Sequence, residues 1–487
     1  MSTDAPRSSR APRDQTRGAA RRDREHRRAR SSFTRSLAVV IAALVVVGAG
    51  GAAYSLTQGP RVSTVAIDAL SVVEAAGQRI VFTTNQPLAP IEASQVTIEP
   101  SAPFTIEASG RNVAVQFTYP LDAETEYTVS VAGVESASGG PTATISHDFE
   151  TGTPPIYVLQ RRDSNDDAVF LTNLTGDQAV PVFTHPQIED YRASRDGLVV
   201  ETSDGSGAAT LTGMALDGSD PAPLAVPGEG TIAGLQMADH DGLVGYTYTD
   251  LDISATSGIE SALYVSRLDD PDAEPQRIEV GTDPRVVDFL FVPQTSSLVV
   301  LTFDGQLRLV DTSRPDAEPV LLGGALGLSG IERGSGRVIA EQSDGTVLID
   351  LTDLSETPLP QSAELDALGI PGPVVPTVQG KTLRTFTQMG EDGYPESQAV
   401  GLVDEAGTFE PVFGLEDGGD AVMQTCASPS GSHVAVIVSP DLANNPYDTY
   451  SRPLPSRLET HIVDARTGEE VTVIDGTDIS WCAVTIG

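Results

Sequence analysis

Two cysteines and six histidines are the side chains in this 487-residue sequence with the widest chemical range. The sequence contains no HExxH motif, no pair of histidines at the spacing of metal ligands, and no GxSxG motif of a serine hydrolase. The histidines are scattered along the chain as His26, His147, His185, His240, His433 and His461. We therefore predict no catalytic residues and no enzymatic activity.

Cys426 and Cys482 are the only cysteines. An even count outside a membrane favours one disulfide, with two buried free thiols as the alternative. The single tryptophan, Trp481, stands beside the second cysteine, and we expect it to pack between structural repeats rather than against a cofactor.

Acidic side chains offer a different chemistry, the binding of calcium through oxygen atoms. The stretch "DSNDDA" places Asp163, Asn165 and Asp167 in alternation, as at the start of an EF-hand loop. The glycine and the closing glutamate of that loop are missing, so a solvated acidic loop is the alternative. Calcium at these three residues is the only cofactor that the sequence suggests.

The charge of the chain divides it into two unequal parts. Residues 1–36 hold eleven arginines and four acids, which leaves 19 basic and 64 acidic residues for the rest of the chain. Between these parts, residues 37–57 are uncharged, and twenty helical residues span about 30 Å, the thickness of a bilayer core. The arginines predict that residues 1–36 are a disordered cytoplasmic tail, that 37–57 form a transmembrane helix, and that the remainder lies outside the cytoplasm.

Two alternatives to this assignment are open. Small residues at 48–53 could belong to the cleavage site of a signal peptide, although the basic region is longer than usual for one. The arginine-rich tail could bind nucleic acid or anionic lipid instead of only orienting the anchor. The strongly acidic part after residue 57 argues against contact with nucleic acid there.

Short alternating stretches separated by turn residues predict about seven strands over residues 62–152, as in a β-sandwich. The stretches "RIVFTTNQPLAP", "VTIEP" and "VAVQFTYPLDAETEYTVSVAGV" resemble the bacterial Ig-like domain of S-layer and other surface proteins. This resemblance implies a spacer or an adhesive module without catalysis.

Residues 155–487 contain a repeat of two strands joined by a small or polar turn. Examples are "DYRASRDGLVVET", "GIERGSGRVIAEQ" and "MQTCASPSGSHVAVIV", and the pattern returns at intervals of about 40–56 residues. This period resembles the four-stranded blades of TolB-like or WD40-like β-propellers. The inner strands are predicted to begin near residues 190, 235, 289, 330, 375, 424 and 480, which gives seven blades, with six or eight as alternatives.

The last predicted strand, "ISWCAV" at 479–484, has no partner that follows it, and the strands at 156–185 lack an inner strand before them. We therefore expect the two segments to complete one blade and close the ring. This removes an exposed sheet edge, which proteins normally avoid. Both cysteines would then lie on inner strands of neighbouring blades.

The sequence thus predicts an all-β protein with an Ig-like β-sandwich, a propeller of about seven blades and one N-terminal transmembrane helix. The function expected is that of a membrane-anchored, extracytoplasmic binding or scaffold protein of a bacterial cell envelope, with a protein or an envelope polymer as its partner. An extracytoplasmic propeller enzyme of the glycosidase or lactonase type is one alternative. A structural component of a surface layer is another.

Overall fold

The computed structural model describes residues 37–48, 59–162, 166–254, 256–391, 393–416 and 418–482. Residues 37–48 form helix α1, and every side chain of this helix is exposed. Within these ranges, none of the helices combines the length and the hydropathy that a membrane span requires. The predicted cytoplasmic tail (1–36) and positions 49–57 of the predicted anchor lie outside the described residues.

The first domain, residues 62–150, consists of two antiparallel sheets. Two short helical segments interrupt its strands: α2 (Ser71–Glu74) and a 3₁₀ turn (Ala93–Gln95). One sheet has the order β1-β2-β5-β4 and the other β3-β6-β7. The strands are β1 (Val62–Ala66), β2 (Arg79–Thr84), β3 (Val96–Glu99), β4 (Phe104–Ser109), β5 (Asn112–Phe117), β6 (Glu126–Val134) and β7 (Ala143–Glu150).

Both sheets of the first domain bury side chains in a single apolar core. Phe82 and Val115 come from one sheet and Val129 and Ile145 from the other, and α2 adds Val72 to the same core. The strands alternate buried and exposed residues, since successive side chains point to opposite faces of a sheet. The predicted two-sheet arrangement of this segment is therefore observed.

Seven sheets follow, and we call each of them a blade. Blade 1 contains β8 (Ile156–Gln160), β9 (Asp167–Thr172) and β10 (Val180–His185). Blade 2 contains β11 (Ile188–Ser194), β12 (Gly197–Ser203), β13 (Ala209–Met214) and β14 (Ala222–Leu224). Blade 3 contains β15 (Gly230–Met237), β16 (Leu243–Asp250), β17 (Ala262–Arg267) and β18 (Gln276–Arg277). Blade 4 contains β19 (Val286–Phe291), β20 (Ser297–Thr302), β21 (Gln306–Asp311) and β22 (Val320–Gly324).

Blades 5 to 7 have the same antiparallel order. Blade 5 contains β23 (Gly327–Ile331), β24 (Arg337–Gln342), β25 (Gly345–Asp350) and β26 (Glu356–Pro358). Blade 6 contains β27 (Ile370–Pro376), β28 (Thr382–Met389), β29 (Pro395–Val403) and β30 (Phe409–Leu415). Blade 7 contains β31 (Ala421–Ala427), β32 (His433–Ser439), β33 (Glu459–Asp464) and β34 (Glu470–Asp475). Helix α3 (Ala363–Asp366) precedes β27, and a 3₁₀ turn (Leu442–Asn444) follows β32.

In blades 2 to 7 the first strand is the inner strand. From β11 through β15, β19, β23 and β27 to β31, every inner strand contacts the inner strand of the next blade. Four-stranded antiparallel sheets that touch in this cyclic way form a β-propeller. The six predicted starts between residues 190 and 424 each fall in or within a few residues of an observed inner strand, so these predictions are confirmed.

The C-terminal segment closes the ring against blade 1. The backbone groups of Leu159 and Thr477 exchange two hydrogen bonds of 2.9 Å, and the Ser480 N–H donates to the Tyr157 carbonyl at 3.0 Å. The predicted partnership of this segment with blade 1 is therefore observed, but pairing begins at Thr477 instead of 479. The described part of the segment makes a bridge rather than a regular strand, and positions 483–487 lie outside the described residues.

A one-residue register shift explains the irregular pairing. In β11 the shift lies between Ile188 and Asp190, and the other five inner strands of blades 2 to 7 each carry a shift as well. Asp478 has a φ of 50°, which places its backbone in the left-handed region, between the bridge at Thr477 and the hydrogen bond at Ser480. Such a β-bulge bends a strand and increases its twist. The C-terminal segment thus has the same distortion as the other inner strands.

Asp288 follows the shift in β19, at the position that Asp190 has in β11. Asp190 pairs with Arg192 at 2.9 Å. By contrast, Asp288 has no cationic partner in the part of the chain that the structure describes, and its carboxylate only accepts the Phe289 N–H at 2.8 Å. Burial raises the pKa of Asp288 from 3.8 to about 6. The ionised form of this carboxyl is therefore disfavoured in the folded protein.

We expect Asp288→Asn to stabilise the protein at neutral and alkaline pH. Because the folded pKa lies above the unfolded one, the wild type loses stability as the pH rises from about 4 to about 6, and asparagine removes this loss. The gain should be on the order of 2 kcal/mol near pH 8 and absent near pH 4. Thermal unfolding across this pH range measures it.

The control is Asp283→Asn, because hydrogen bonds from Arg285 lower the pKa of Asp283 to about 2. This variant should gain nothing at any pH. Equal pH profiles for the wild type and Asp288→Asn would contradict the prediction.

A disulfide joins Cys426 in β31 to Cys482 in the C-terminal segment, with 5.2 Å between the two Cα atoms. Both residues are buried in one apolar cluster together with Trp481 and Ile479. The predicted pairing of the cysteines is confirmed, and so the alternative of two free thiols is wrong. The disulfide ties the closing segment to blade 7, while its hydrogen bonds tie it to blade 1.

A second connection crosses the same junction. The loop between β32 and β33, residues 440–458, is far longer than the corresponding loops of the other blades, and we call it the strap. In the strap, the Asp448 carboxylate accepts a hydrogen bond from the Arg161 guanidinium at 2.9 Å, and the Tyr450 hydroxyl donates to the Asp167 carboxylate at 2.7 Å. Arg452 reaches Glu201 in blade 2 at 2.6 Å. The strap therefore links blade 7 to blades 1 and 2.

The first domain docks on the end of the ring where the inner strands finish. The side-chain amide of Gln294, which follows β19, donates to the Ala76 carbonyl. Gly334, which follows β23, has a φ of 81°, and a Cβ there would lie 2.4 Å from the Thr118 carbonyl oxygen. Only glycine allows this approach of the two backbones.

Candidate functional site

A cavity of about 280 Å³ lies where the first domain meets the ring, and we call it the junction chamber. The ends of β11, β15, β19 and β23 form most of its wall, and the C-terminal segment completes it. On the opposite side it is bounded by Glu74–Ala76 of the first domain and by the linker residues Pro154 and Pro155. Neither domain builds this chamber alone.

Aromatic and apolar side chains form much of the chamber wall. Tyr157 and Tyr191 are buried, and their hydroxyls are already engaged: Tyr157 donates to the Leu216 carbonyl at 2.8 Å, and Tyr191 donates to the Asp478 carbonyl. Burial raises the pKa of Tyr157 to about 12, so its hydroxyl is neutral at physiological pH. The two rings therefore present apolar surface and not an ionisable group.

Trp481 is 7% exposed and also lines the chamber. Its ring stands 6.5 Å from that of His433, and its indole N–H is buried without an acceptor among the described residues. As expected from the sequence, this tryptophan packs between neighbouring segments of the ring. Because it is the only tryptophan in the chain, it also provides a fluorescent reporter at the chamber wall.

Three arginines line the chamber, and they differ in their partners. The Arg192 guanidinium pairs with Asp190 at 2.9 Å and donates to two carbonyls. Arg195 is half-exposed and lies 3.8 Å from the carboxylate of Asp196. Arg333, in the turn after β23, makes neither a hydrogen bond nor an ion pair through its side chain with any described residue. It is the chamber cation without a counter-ion.

The acidic side chains of Asp239 and Glu74 also line the chamber. Asp239 accepts the backbone N–H of Gln294 at 3.0 Å. Burial raises the pKa of Glu74, while the charge of Arg195 opposes this rise. Burial lowers the pKa of Arg333, and Asp239 opposes that shift only from a distance. The site therefore combines an unpaired cation with an aromatic wall.

Of the three predicted calcium residues, Asp167 is described, and it lies beside the strap. Asp163 and Asn165 fall outside the described residues, so calcium binding there stays a prediction. The carboxylate of Asp167 is buried and accepts hydrogen bonds from the backbone N–H groups of Arg162 and Ile188 and from Tyr450. Across the described ranges, no group of three or more His, Cys, Asp or Glu side chains is arranged to hold a metal ion.

Sequence reasoning missed the junction chamber. The repeat placed Arg192, Arg195 and Arg333 near the ends of inner strands, in "YRASRDG" and "IERGSGR", but it did not show which of them face the axis. The available signal was the position of these arginines at the ends of inner strands, in a chain that has few basic residues after position 36.

No family model and no curated protein sequence matches the chain. Among solved structures, it is similar to the dihydro-heme d1 dehydrogenase NirN in complex with DHE, at 14% identity over 67% of this chain and 74% of that chain, with a TM-score of 0.41. A prolyl endopeptidase matches at 12% identity over 67% of this chain and 50% of that one, with a TM-score of 0.45.

A third similar structure is an uncharacterized protein from Listeria monocytogenes EGD-e, at 13% identity over 66% of this chain and 91% of that one, with a TM-score of 0.39. These scores are too low to carry an argument about activity. The propeller assignment rests on the strand pairing of this chain.

Proposed function

We propose that this protein is a membrane-anchored, extracytoplasmic binding protein of a bacterial cell envelope and that the junction chamber is its ligand site. In this proposal the first domain is an Ig-like spacer, residues 37–57 anchor the chain, and the propeller acts without catalysis. The observation that carries the proposal is the chamber itself, which combines an aromatic wall with the unpaired Arg333. Apolar pockets with a few polar groups are the usual form of ligand sites.

Three further features support the proposed location. A disulfide persists in oxidising compartments and is rare in the cytosol, and Cys426 and Cys482 form one here. The basic residues 1–36 precede an uncharged stretch, which is the usual order for a cytoplasmic tail and an anchor. The seven strands of the first domain, in sheets of four and three with a common core, suit an Ig-like module.

The docking of the first domain supports a role in positioning the site. Because Glu74–Ala76 form one side of the chamber, binding there would depend on both domains. A ligand held between them stabilises their docked arrangement, since any molecule that binds the docked form shifts the equilibrium toward it. The propeller would then present its ligand, or a partner that recognises the filled chamber, at a defined orientation to the membrane.

Filling the chamber tests this proposal. We expect Ala193→Phe, which adds a ring to the chamber wall, to prevent small molecules from co-purifying with the full-length chain. The wild type and the variant are purified from envelope fractions of expressing cells, denatured, and compared by mass spectrometry of the released small molecules. At least one molecule should be present with the wild type and depleted about tenfold or more in the variant.

The matched control is Ala108→Phe, at an exposed position in β4 that is not among the residues lining the chamber. It should retain the same molecules as the wild type. If all three proteins release the same set of molecules, or none, the chamber is not a ligand site and the proposed function is wrong.

A further inference from the structure

Arg333 is exceptional among the three arginines that line the junction chamber. Arg192 has the Asp190 carboxylate at 2.9 Å, and Arg195 has Asp196 at 3.8 Å. Arg333 has no carboxylate within ion-pair distance in the described ranges and no carbonyl acceptor for its five N–H groups. It retains some accessible surface while surrounded by protein, which is consistent with a guanidinium whose free surface faces the chamber.

An arginine in this environment is costly to the folded protein. A buried charge needs a partner, and a guanidinium cannot avoid the cost by losing its proton at physiological pH. The rest of the chain after residue 36 carries 64 acidic residues, so carboxylates are abundant, yet none of the described ones pairs with Arg333. Strained or uncompensated groups of this kind are concentrated at functional sites, where a ligand satisfies them.

The aromatic wall indicates the rest of the ligand. Tyr157, Tyr191 and Phe291 line the chamber, and both tyrosine hydroxyls donate to protein carbonyls. Their rings therefore offer mainly apolar contact. A chamber of about 280 Å³ holds a small molecule and not a folded partner.

We infer that the chamber binds a small organic anion in which a carboxylate or phosphate is attached to an apolar, preferably aromatic, body. This inference rests on the proposed function and adds the chemical class of the ligand. Arg333 binds the acidic group, because a planar guanidinium matches carboxylate and phosphate oxygens in a bidentate geometry. The aromatic wall receives the apolar body, which an inorganic anion lacks.

Trp481 provides the measurement, since a ligand in the chamber changes the surroundings of the only tryptophan. The full-length wild type is titrated with benzoate, phenyl phosphate, inorganic phosphate and the neutral benzamide, and tryptophan fluorescence and the thermal midpoint are recorded. We expect benzoate or phenyl phosphate to bind, and inorganic phosphate and benzamide to bind at least about tenfold more weakly. The relative affinity of benzoate and phenyl phosphate distinguishes a carboxylate from a phosphate ligand.

Arg333→Gln is the decisive variant. It should weaken binding of the organic anion about tenfold to a hundredfold, because charge-assisted hydrogen bonds are lost. Without ligand its thermal midpoint should equal or exceed that of the wild type, since an unpaired charge is removed. An arginine with a purely structural role would instead lower the midpoint. The matched control is Arg314→Gln, a surface arginine whose carboxylate partner is Asp311, and it should bind the probes as the wild type does.

The outcomes separate this inference from the proposed function. Equal binding of benzamide and benzoate, an unchanged affinity in Arg333→Gln, equal binding of inorganic phosphate, or no binding of any probe would each overturn the inferred ligand class. The proposed function would still stand if molecules co-purified with the wild type and not with Ala193→Phe. Loss of that difference would overturn both.

Discussion

Replacing both Cys426 and Cys482 with serine is expected to lower the free energy of unfolding of the propeller by about 4 kcal/mol. The disulfide spans a sequence separation of 56 residues, and removing it restores the conformational entropy of that loop to the unfolded chain. The closing segment also loses its disulfide to β31, and it keeps its backbone connection to β34 and its hydrogen bonds to blade 1 and to Tyr191. We therefore expect the variant ring to open at lower denaturant concentration than the rest of the chain unfolds.

Denaturant unfolding followed by Trp481 fluorescence measures this effect, because the tryptophan precedes Cys482 and lies in the same apolar cluster. Wild-type protein unfolded in the presence of a reductant is the control and should unfold at the same midpoint as the double variant. If oxidised wild type and double variant have the same midpoint, the disulfide does not hold the ring closed.

Removing Arg452, one of the two arginines of the strap, should have the second-largest effect. Arg452 approaches Glu201 to 2.6 Å and Asp190 to 3.5 Å, and both carboxylates are almost completely buried. Burial already raises the pKa of Glu201 to about 7 in spite of Arg452. We expect Arg452→Met to cost about 3–5 kcal/mol near neutral pH, since breaking a buried ion pair leaves an uncompensated charge.

The pH dependence identifies the cause of this loss. The folded pKa of Glu201 lies above its unfolded value of 4.5 and should rise further without Arg452, so the carboxyl accepts a proton in the folded variant. The loss caused by Arg452→Met should therefore be larger near pH 8 than near pH 5. Chemical unfolding at both pH values measures the difference.

Two further variants act as controls for the strap. Arg452→Met combined with Glu201→Gln should recover part of the lost stability, because the unpaired charge is gone. Arg314→Met removes an exposed arginine that contacts Asp311 at 2.6 Å, and exposed pairs contribute about 1 kcal/mol or less. A similar loss in Arg452→Met and Arg314→Met would show that the strap does not lock the ring.

The inner strands of the ring could be predicted because their pattern is local. "DYRASRDGLVVET" and "GIERGSGRVIAEQ" each contain two apolar stretches around a polar turn, and the structure places β11 with β12 and β23 with β24 at these positions. The prediction for the last inner strand was shifted by two residues. Its bulge at Asp478 depends on the register with β8, which a single sequence does not contain.

The strap and the junction chamber could not be predicted in the same way, because both depend on long-range contacts. The strap sequence "NNPYDTYSRPLPS" has the prolines and polar residues of a loop, and nothing in it indicates that Arg452 meets Glu201, 251 residues earlier in the chain. Likewise, Arg333 and Tyr157 come together only when the ring is closed and the first domain is docked. The cysteine pair was the exception, since an even count and equivalent repeat positions were sufficient.

The closing contact between Tyr157 and Ser480 joins residues 323 positions apart. A ribosome that adds roughly 5–20 residues per second needs about 15–65 s to synthesise that interval, so blade 1 waits for this time without its innermost segment. During translation the growing chain therefore carries an open sheet edge that is covered by a segment made 323 residues later. The ring cannot close, and Cys426 cannot pair with Cys482, before that later segment has been made.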